Sequence, residues 1–152
     1  MIHIEQIRPE LTWRLRQQVL YPAQKLYEME LEEDNDGIHF GAFTDVALVG
    51  IISLFQQDTV FQFRKLAVLP DFQKMGIGNS LLNRVEEYAL AEGGTTIWCN
   101  ARVSAIGFYL KAGYAHTGKL FSKNDNLVKI TNQHQLPKNL GRARTVAQSP
   151  TA

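Results

Sequence analysis

One stretch of this chain leaves little freedom to whatever folds around it. Leu66-Ala67-Val68-Leu69 is an apolar run of strand type and Pro70-Asp71-Phe72 interrupts it. Gln73-Lys74-Met75-Gly76-Ile77-Gly78 then turns through two glycines into a segment that carries Leu81, Leu82, Val85 and Ala89 on one helical side. The inner face of that helix is expected to pack on the sheet that holds the strand. The turn also has a chemical use. Glycine lets the backbone curl with its N–H groups inward, and the unpaired amides and positive dipole end of the next helix complete an anion-binding concavity. The ligand this predicts is a cofactor bearing a pyrophosphate.

What the turn lacks narrows the cofactor. A dinucleotide fingerprint needs a third glycine three residues after the second, where this chain has Leu81. It also needs an acidic ribose ligand about 20 residues further on, where the chain reads Ile97-Trp98-Cys99-Asn100. A nucleotide-hydrolysing loop closes on Gly-Lys-Ser/Thr, but Gly78 is followed by Asn79-Ser80. Both readings are disfavoured.

Around this unit the pattern is mixed α/β. His3 to Ile7 reads as a short strand, and Leu11, Leu15 and Val19 mark a helix whose apolar stripe faces inward until Pro22 interrupts it. Ile38 to Thr44, Ala47 to Phe55 and Phe61 to Leu69 are three β-rich runs separated by polar turns, which predict an antiparallel meander. Gly93-Gly94 closes the central helix with the residue type suited to a left-handed cap. Thr95 to Asn100 alternates as a strand, Val103 to Ala112 forms a second helix ending at Gly113, and Ala115 to Phe121 with Leu127 to Thr131 predicts a closing hairpin. Beyond Gln133 the chain is polar and basic, with Lys138, Arg142 and Arg144 and no acid. Residues 1–133 therefore read as one domain and 134–152 as a mobile or partner-docked tail.

Composition excludes several classes. The 152 residues make one core, and a net charge of +1 lacks the concentrated basic face of a nucleic-acid or anionic-membrane binder. The longest apolar run, Val46 to Phe55, falls far short of the roughly 20 residues that span a bilayer. Cys99 is the only cysteine. With no disulfide available and no signal-type N-terminus, the expected address is the reducing cytoplasm.

Two ordered blocks resemble the GNAT superfamily of N-acetyltransferases. Gln73-Lys74-Met75-Gly76-Ile77-Gly78 is similar to its acetyl-CoA loop, Gln/Arg-x-x-Gly-x-Gly/Ala, which follows a strand ending in an apolar triplet and a proline-containing turn. Ala105-Ile106-Gly107-Phe108-Tyr109-Leu110-Lys111-Ala112-Gly113-Tyr114 is similar to the family's Ala-Ile-x-Phe-Tyr-x-Lys-x-Gly-Phe helix. With the strands around them the resemblance covers roughly residues 1 to 131. It implies a mostly antiparallel central sheet flanked by helices, and direct transfer of acetyl from acetyl-CoA to a primary amine of a small molecule or a protein. No metal is required, and family members often pair as homodimers. The implied cofactor contacts are Leu66, Ala67 and Val68 on the strand edge, Gln73, Lys74, Met75, Gly76, Ile77, Gly78 and Asn79 in the loop, and Asn100 at a strand end.

Acetyl transfer from a thioester needs a neutral amine, stabilisation of the tetrahedral oxyanion and a proton for the leaving thiolate. Tyr109 sits where the family places its general acid, and a phenol of pKa about 10 suits a thiolate whose conjugate acid is near 8.5. Packing beside Phe108 is the alternative role, and Tyr88 and Tyr114 are weaker candidates. No base emerges: the runs Phe61 to Leu69 and Thr95 to Asn100 contain no acid, leaving a water chain, His39, His116 or a carboxylate of the acidic segment. That segment holds Glu28, Glu30, Glu32, Glu33, Asp34 and Asp36, and it either attracts a cationic amine or is a solvated loop. Arg102 stands where the family commonly has asparagine, and it can reach a phosphate or an acidic substrate or pair at the surface. Because the strand carboxylate is missing, a CoA-binding module without efficient catalysis is the competing function, and a structural or interaction domain is a more distant third.

Overall fold

The computed structural model describes residues 1–116 and 127–132. The elements are β1 (His3–Ile7), a 3-10 turn (Pro9–Thr12), a single α turn α1 (Trp13–Leu15) that continues as π-helical turns (Arg16–Leu20), β2 (Ile38–Phe43), β3 (Leu48–Gln57), β4 (Val60–Val68), α2 (Ile77–Ala91), β5 (Thr96–Arg102), α3 (Ile106–Lys111), β6 (Tyr114–His116) and β7 (Leu127–Asn132). The strands form one sheet in the order β1-β2-β3-β4-β5-β7-β6, in which every neighbouring pair is antiparallel except β4 and β5. This is the mixed, mostly antiparallel α/β architecture expected from the sequence.

The meander follows from its turns. The Thr44 hydroxyl accepts from the amides of Val46 and Ala47 at the β2–β3 corner, and Asp58 takes φ 57° between β3 and β4. A parallel β4–β5 pair requires a crossover, which α2 supplies. It buries Ile77, Leu81, Leu82, Val85 and Ala89 on the sheet with Phe40, Phe61 and Phe63. On the opposite face a smaller cluster of Leu15, Ile51 and Ala67 carries the 9–20 helical stretch.

That stretch corrects one expectation. The stripe Leu11, Leu15, Val19 was expected to face inward, but Leu11 is 41% exposed and the buried positions are Thr12, Leu15 and Arg16. Passing from 3-10 through α to π winding changes the angle per residue, so strict spacing by four loses phase. Arg16 goes inside because it has a partner there. Its two guanidinium nitrogens NH1 and NH2 donate to the Asp34 carboxylate at 2.8 and 2.9 Å, and they also reach Met29 O and Ser53 Oγ. The expected closing hairpin lies partly outside the described residues: β6 and β7 pair, residues 117–126 are not described, and β7 also inserts between β5 and β6. The tail 134–152 lies outside the described residues altogether.

Candidate active site

The site begins with one surplus residue. Ile51 pairs with Ala67 and Ser53 with Arg64, so two steps along β3 span three along β4. Lys65 absorbs the excess with φ 60°, a left-handed conformation that a lysine adopts only under constraint from its surroundings. The bulge turns two consecutive side chains, Arg64 and Lys65, to the face that carries Leu15 and Tyr21, while Phe63 and Leu66 stay on the α2 face. It also bends β4 away from β5. Their pairing covers only Val60–Gln62 with Thr96–Trp98, after which the strands part and the β5-facing edge of β4 is open.

At the mouth of this split stands the glycine turn. Gly76 is the residue before α2 and has φ 84°, and Lys74 two residues earlier has φ 64°. A Cβ on Gly76 would meet no atom within 4 Å, so it is the dihedral and not crowding that calls for glycine here. The first helical bond runs from Ser80 N to Gly76 O, and among the described residues the amides of 74 to 79 find no acceptor. Free amides curled through the two left-handed residues Lys74 and Gly76 can form an anion cradle, which the dipole of the fifteen-residue α2 reinforces. The Gln73 side chain donates to Val68 O at 2.9 Å and so ties the turn to the end of β4.

A cleft of about 650 Å³ runs from this turn into the split. Of the residues expected from sequence, Leu66, Ala67, Val68, Gln73, Lys74, Gly76, Gly78 and Asn79 line it. Met75, Ile77 and Asn100 do not: Met75 is 66% exposed and Ile77 packs inward, so each offers only its amide to the cradle. Asn100 keeps a buried Oδ1 with no hydrogen-bond partner. Sequence reasoning did not foresee Val19, Leu20, Phe72, Ser104, Ala105 and Phe108 in the walls. Val19 carried a signal as part of the first helical stripe, but nothing in its spacing pointed to this side of the sheet.

Tyr109 is fully buried and is not part of the cleft wall. It packs among Phe63, Phe108 and Tyr114, and its buried hydroxyl makes no hydrogen bond of ordinary geometry, its polar neighbour being the Cys99 thiol at the level where β4 and β5 part. Burial, and then Cys99 and Tyr114, push its pKa well above the ordinary phenol value. The phenol therefore stays protonated, and the close pKa match to a thiol expected from sequence is lost. In the same core the Tyr114 hydroxyl donates to Glu86 of α2, whose carboxyl burial raises to about 9.

The candidate bases resolve differently. His39 is 1% exposed with both ring nitrogens engaged, by Ser53 Oγ and Asp34 O, and burial lowers its pKa. It serves as core, not as a base. The side chain of His116 lies outside the described residues. Half of the acidic segment is engaged: Asp34 clamps Arg16, Glu33 pairs with Arg64 at 3.2 Å, and Glu28 accepts from the Lys25 amide. Burial would raise the Asp34 carboxyl, but Arg16, the Leu31 amide and Trp13 carry it below its ordinary value.

The chain belongs to the acetyltransferase (GNAT) family, whose model matches residues 4–114. Among curated proteins it is 28% identical over 130 residues to the uncharacterized N-acetyltransferase YitI of Bacillus subtilis (strain 168), covering 80% of this chain and 87% of that one. Among solved structures its fold matches an aminoglycoside 6'-N-acetyltransferase complexed with coenzyme A, with a TM-score of 0.73 at 20% identity over 88% of this chain and 97% of that one. It also matches the PaiA N-acetyltransferase of Thermoplasma acidophilum in complex with coenzyme A, with a TM-score of 0.67 at 17% identity over 88% and 99%. Among the described residues no helix is long and apolar enough to cross a membrane.

Proposed function

We propose that this protein transfers acetyl directly from acetyl-CoA to a primary amine. The observation that carries the reading is the set of amides at 74 to 79, free of internal partners and opening onto the unpaired edge of β4. These residues fit the cosubstrate: the cradle suits a diphosphate, the β4 edge at Leu66, Ala67 and Val68 suits the amide-bearing pantetheine arm, and the split holds the thioester. The two coenzyme A complexes among the structural neighbours support the same assignment.

In this scheme the amine lone pair attacks the thioester carbonyl carbon, and a free N–H on the β4 edge stabilises the resulting oxyanion. The C–S bond then breaks, the amine loses a proton to water, and the departing sulfur takes one. Tyr109 is the proposed donor to that sulfur, since its hydroxyl, weakly held beside the Cys99 thiol, sits at the depth where the strands part. A CoA-binding module without efficient turnover is the second reading. It is favoured by the absence of any carboxylate from β4 and β5, whose polar side chains are Gln62, Arg64, Lys65, Thr96, Trp98, Asn100 and Arg102 beside the buried Cys99.

The test is a thermal-shift titration with CoA and acetyl-CoA together with an assay of thiol release over a panel of amines. Stabilisation by both ligands with amine-dependent release supports transfer. Stabilisation without release from any amine would leave only the binding module, and no stabilisation would remove both.

A further inference from the structure

On the face of the sheet opposite α2, where an acceptor must approach the split, the charges do not balance. Lys65 Nζ donates to Tyr21 Oη at 2.6 Å, and Arg102, on the neighbouring strand, donates to Leu20 O at 3.0 Å with its guanidinium 5.4 Å from the Tyr21 ring centroid. Lys65 itself stands 4.4 Å from that centroid. Among the described residues neither cation has a carboxylate in salt-bridge range, whereas Arg16 and Arg64 on the same face are both paired. Arg102 and Leu20 line the cleft, whereas Lys65 and Tyr21 do not, so it is Arg102 that connects this corner to the cleft.

We propose that Lys65 and Arg102 bind an anionic group, a carboxylate or a phosphoryl, on the acceptor, so that the substrates are amines of amino-acid or phosphorylated type and not polyamines. The proposal rests on the acetyl-transfer reading and names its acceptor class. Three observations carry it. The cations come from strands on either side of the split, where a single substituent can bridge them, and each has donors left over after its bonds to Tyr21 and, for Arg102, to Leu20 O. Lys65 is held there by a left-handed backbone at the bulge, which fixes its direction. The diphosphate of the cosubstrate has its own seat at residues 74 to 79, on the α2 side, so these two charges are not needed for it.

The ring between the cations registers the same field. Burial alone would raise the Tyr21 phenol, yet Lys65 and Arg102 bring it below its ordinary value.

The experiment compares acceptors in matched pairs, an amino acid against its amide and an amino sugar against its phosphate, with spermidine as the polycation. The anionic member of at least one pair should have a kcat/KM about ten-fold to a hundred-fold higher, and which pair shows it distinguishes carboxylate from phosphoryl. Arg102→Gln and Lys65→Met should each reduce that preference by raising KM for the anionic acceptor, and Arg102→Lys should restore part of it. Equal rates within both pairs, a preference for spermidine, or a rise confined to KM for acetyl-CoA would overturn the proposal. Turnover without preference would overturn this proposal alone, while no turnover of any amine would overturn the transfer reading with it. A circular dichroism spectrum matching wild type separates loss of preference from misfolding in either variant.

Discussion

Tyr109 presents an unusual pairing of cost and use. A buried hydroxyl forfeits about 1 to 3 kcal/mol of hydration, and the Cys99 thiol beside it, a weak hydrogen-bonding group, returns little of that. Replacing Tyr109 by phenylalanine should therefore leave the thermal midpoint unchanged or raise it, while slowing acetyl transfer by about 10²-fold or more if the hydroxyl protonates the leaving sulfur. Calorimetry and steady-state rates on the same preparation check both halves. A variant of lower midpoint and undiminished rate would assign the hydroxyl to the core. Glu86 makes a second prediction. Its folded pKa of about 9 lies above the ordinary 4.5, so the native state holds a proton that the unfolded chain releases. Stability on this account is greatest below about pH 4.5 and falls as pH rises toward 9, where it levels off. Glu86→Gln mimics the protonated form and should be more stable than wild type by on the order of 1 to 3 kcal/mol at pH 8, an advantage that vanishes near pH 4.5. Denaturant melts at several pH values would show the two curves converge.

At the level of elements, the turn before α2 and the helical stretch before β2 illustrate what a sequence displays and what it conceals. The turn was legible because its cause is local: glycines at 76 and 78, placed between an apolar strand and an amphipathic helix, specify their own conformation. Gly76→Val should abolish the CoA-induced rise in midpoint while far-ultraviolet dichroism stays that of wild type, since forcing a β-branched residue to φ 84° costs about 1 to 3 kcal/mol confined to the turn. Retained affinity would argue against the cradle. The bulge at Lys65 was not legible, because nothing in Phe61 to Val68 shows which residue is surplus until β3 is laid against it. The clamp between Arg16 and Asp34 was hidden for the same reason. Its two members are eighteen positions apart, and Asp34 stood among acids that looked like a solvated run. Asp34→Ala strands a buried guanidinium and should cost about 3 to 5 kcal/mol in urea titrations, whereas the same change at exposed Glu32 should cost almost nothing.

For the whole molecule, the two faces of the sheet divide the labour. The α2 face holds the large apolar cluster and the cradle, and the opposite face holds a smaller cluster and the buried ion pair. Hydrophobic periodicity reveals the first face readily, which is why the fold class and the glycine turn before α2 could be read from the chain. The second is assembled from polar residues drawn from four separate segments, and no periodicity announces it. Acid should probe it selectively. The depressed Asp34 carboxyl contributes stability that is complete above the ordinary aspartate value of 3.8 and is lost as pH falls through its lower folded value. Finally, consider the arithmetic of chain length in β4. Phe61, Phe63, Leu66 and Val68 share one side only because Lys65 breaks the count. Excising that single lysine would restore strict alternation and invite β5 to zip onto its neighbour from end to end, giving a sturdier domain with nowhere to put a thioester. On the acetyl-transfer reading, the gap between a catalyst and an inert scaffold is one amino acid wide.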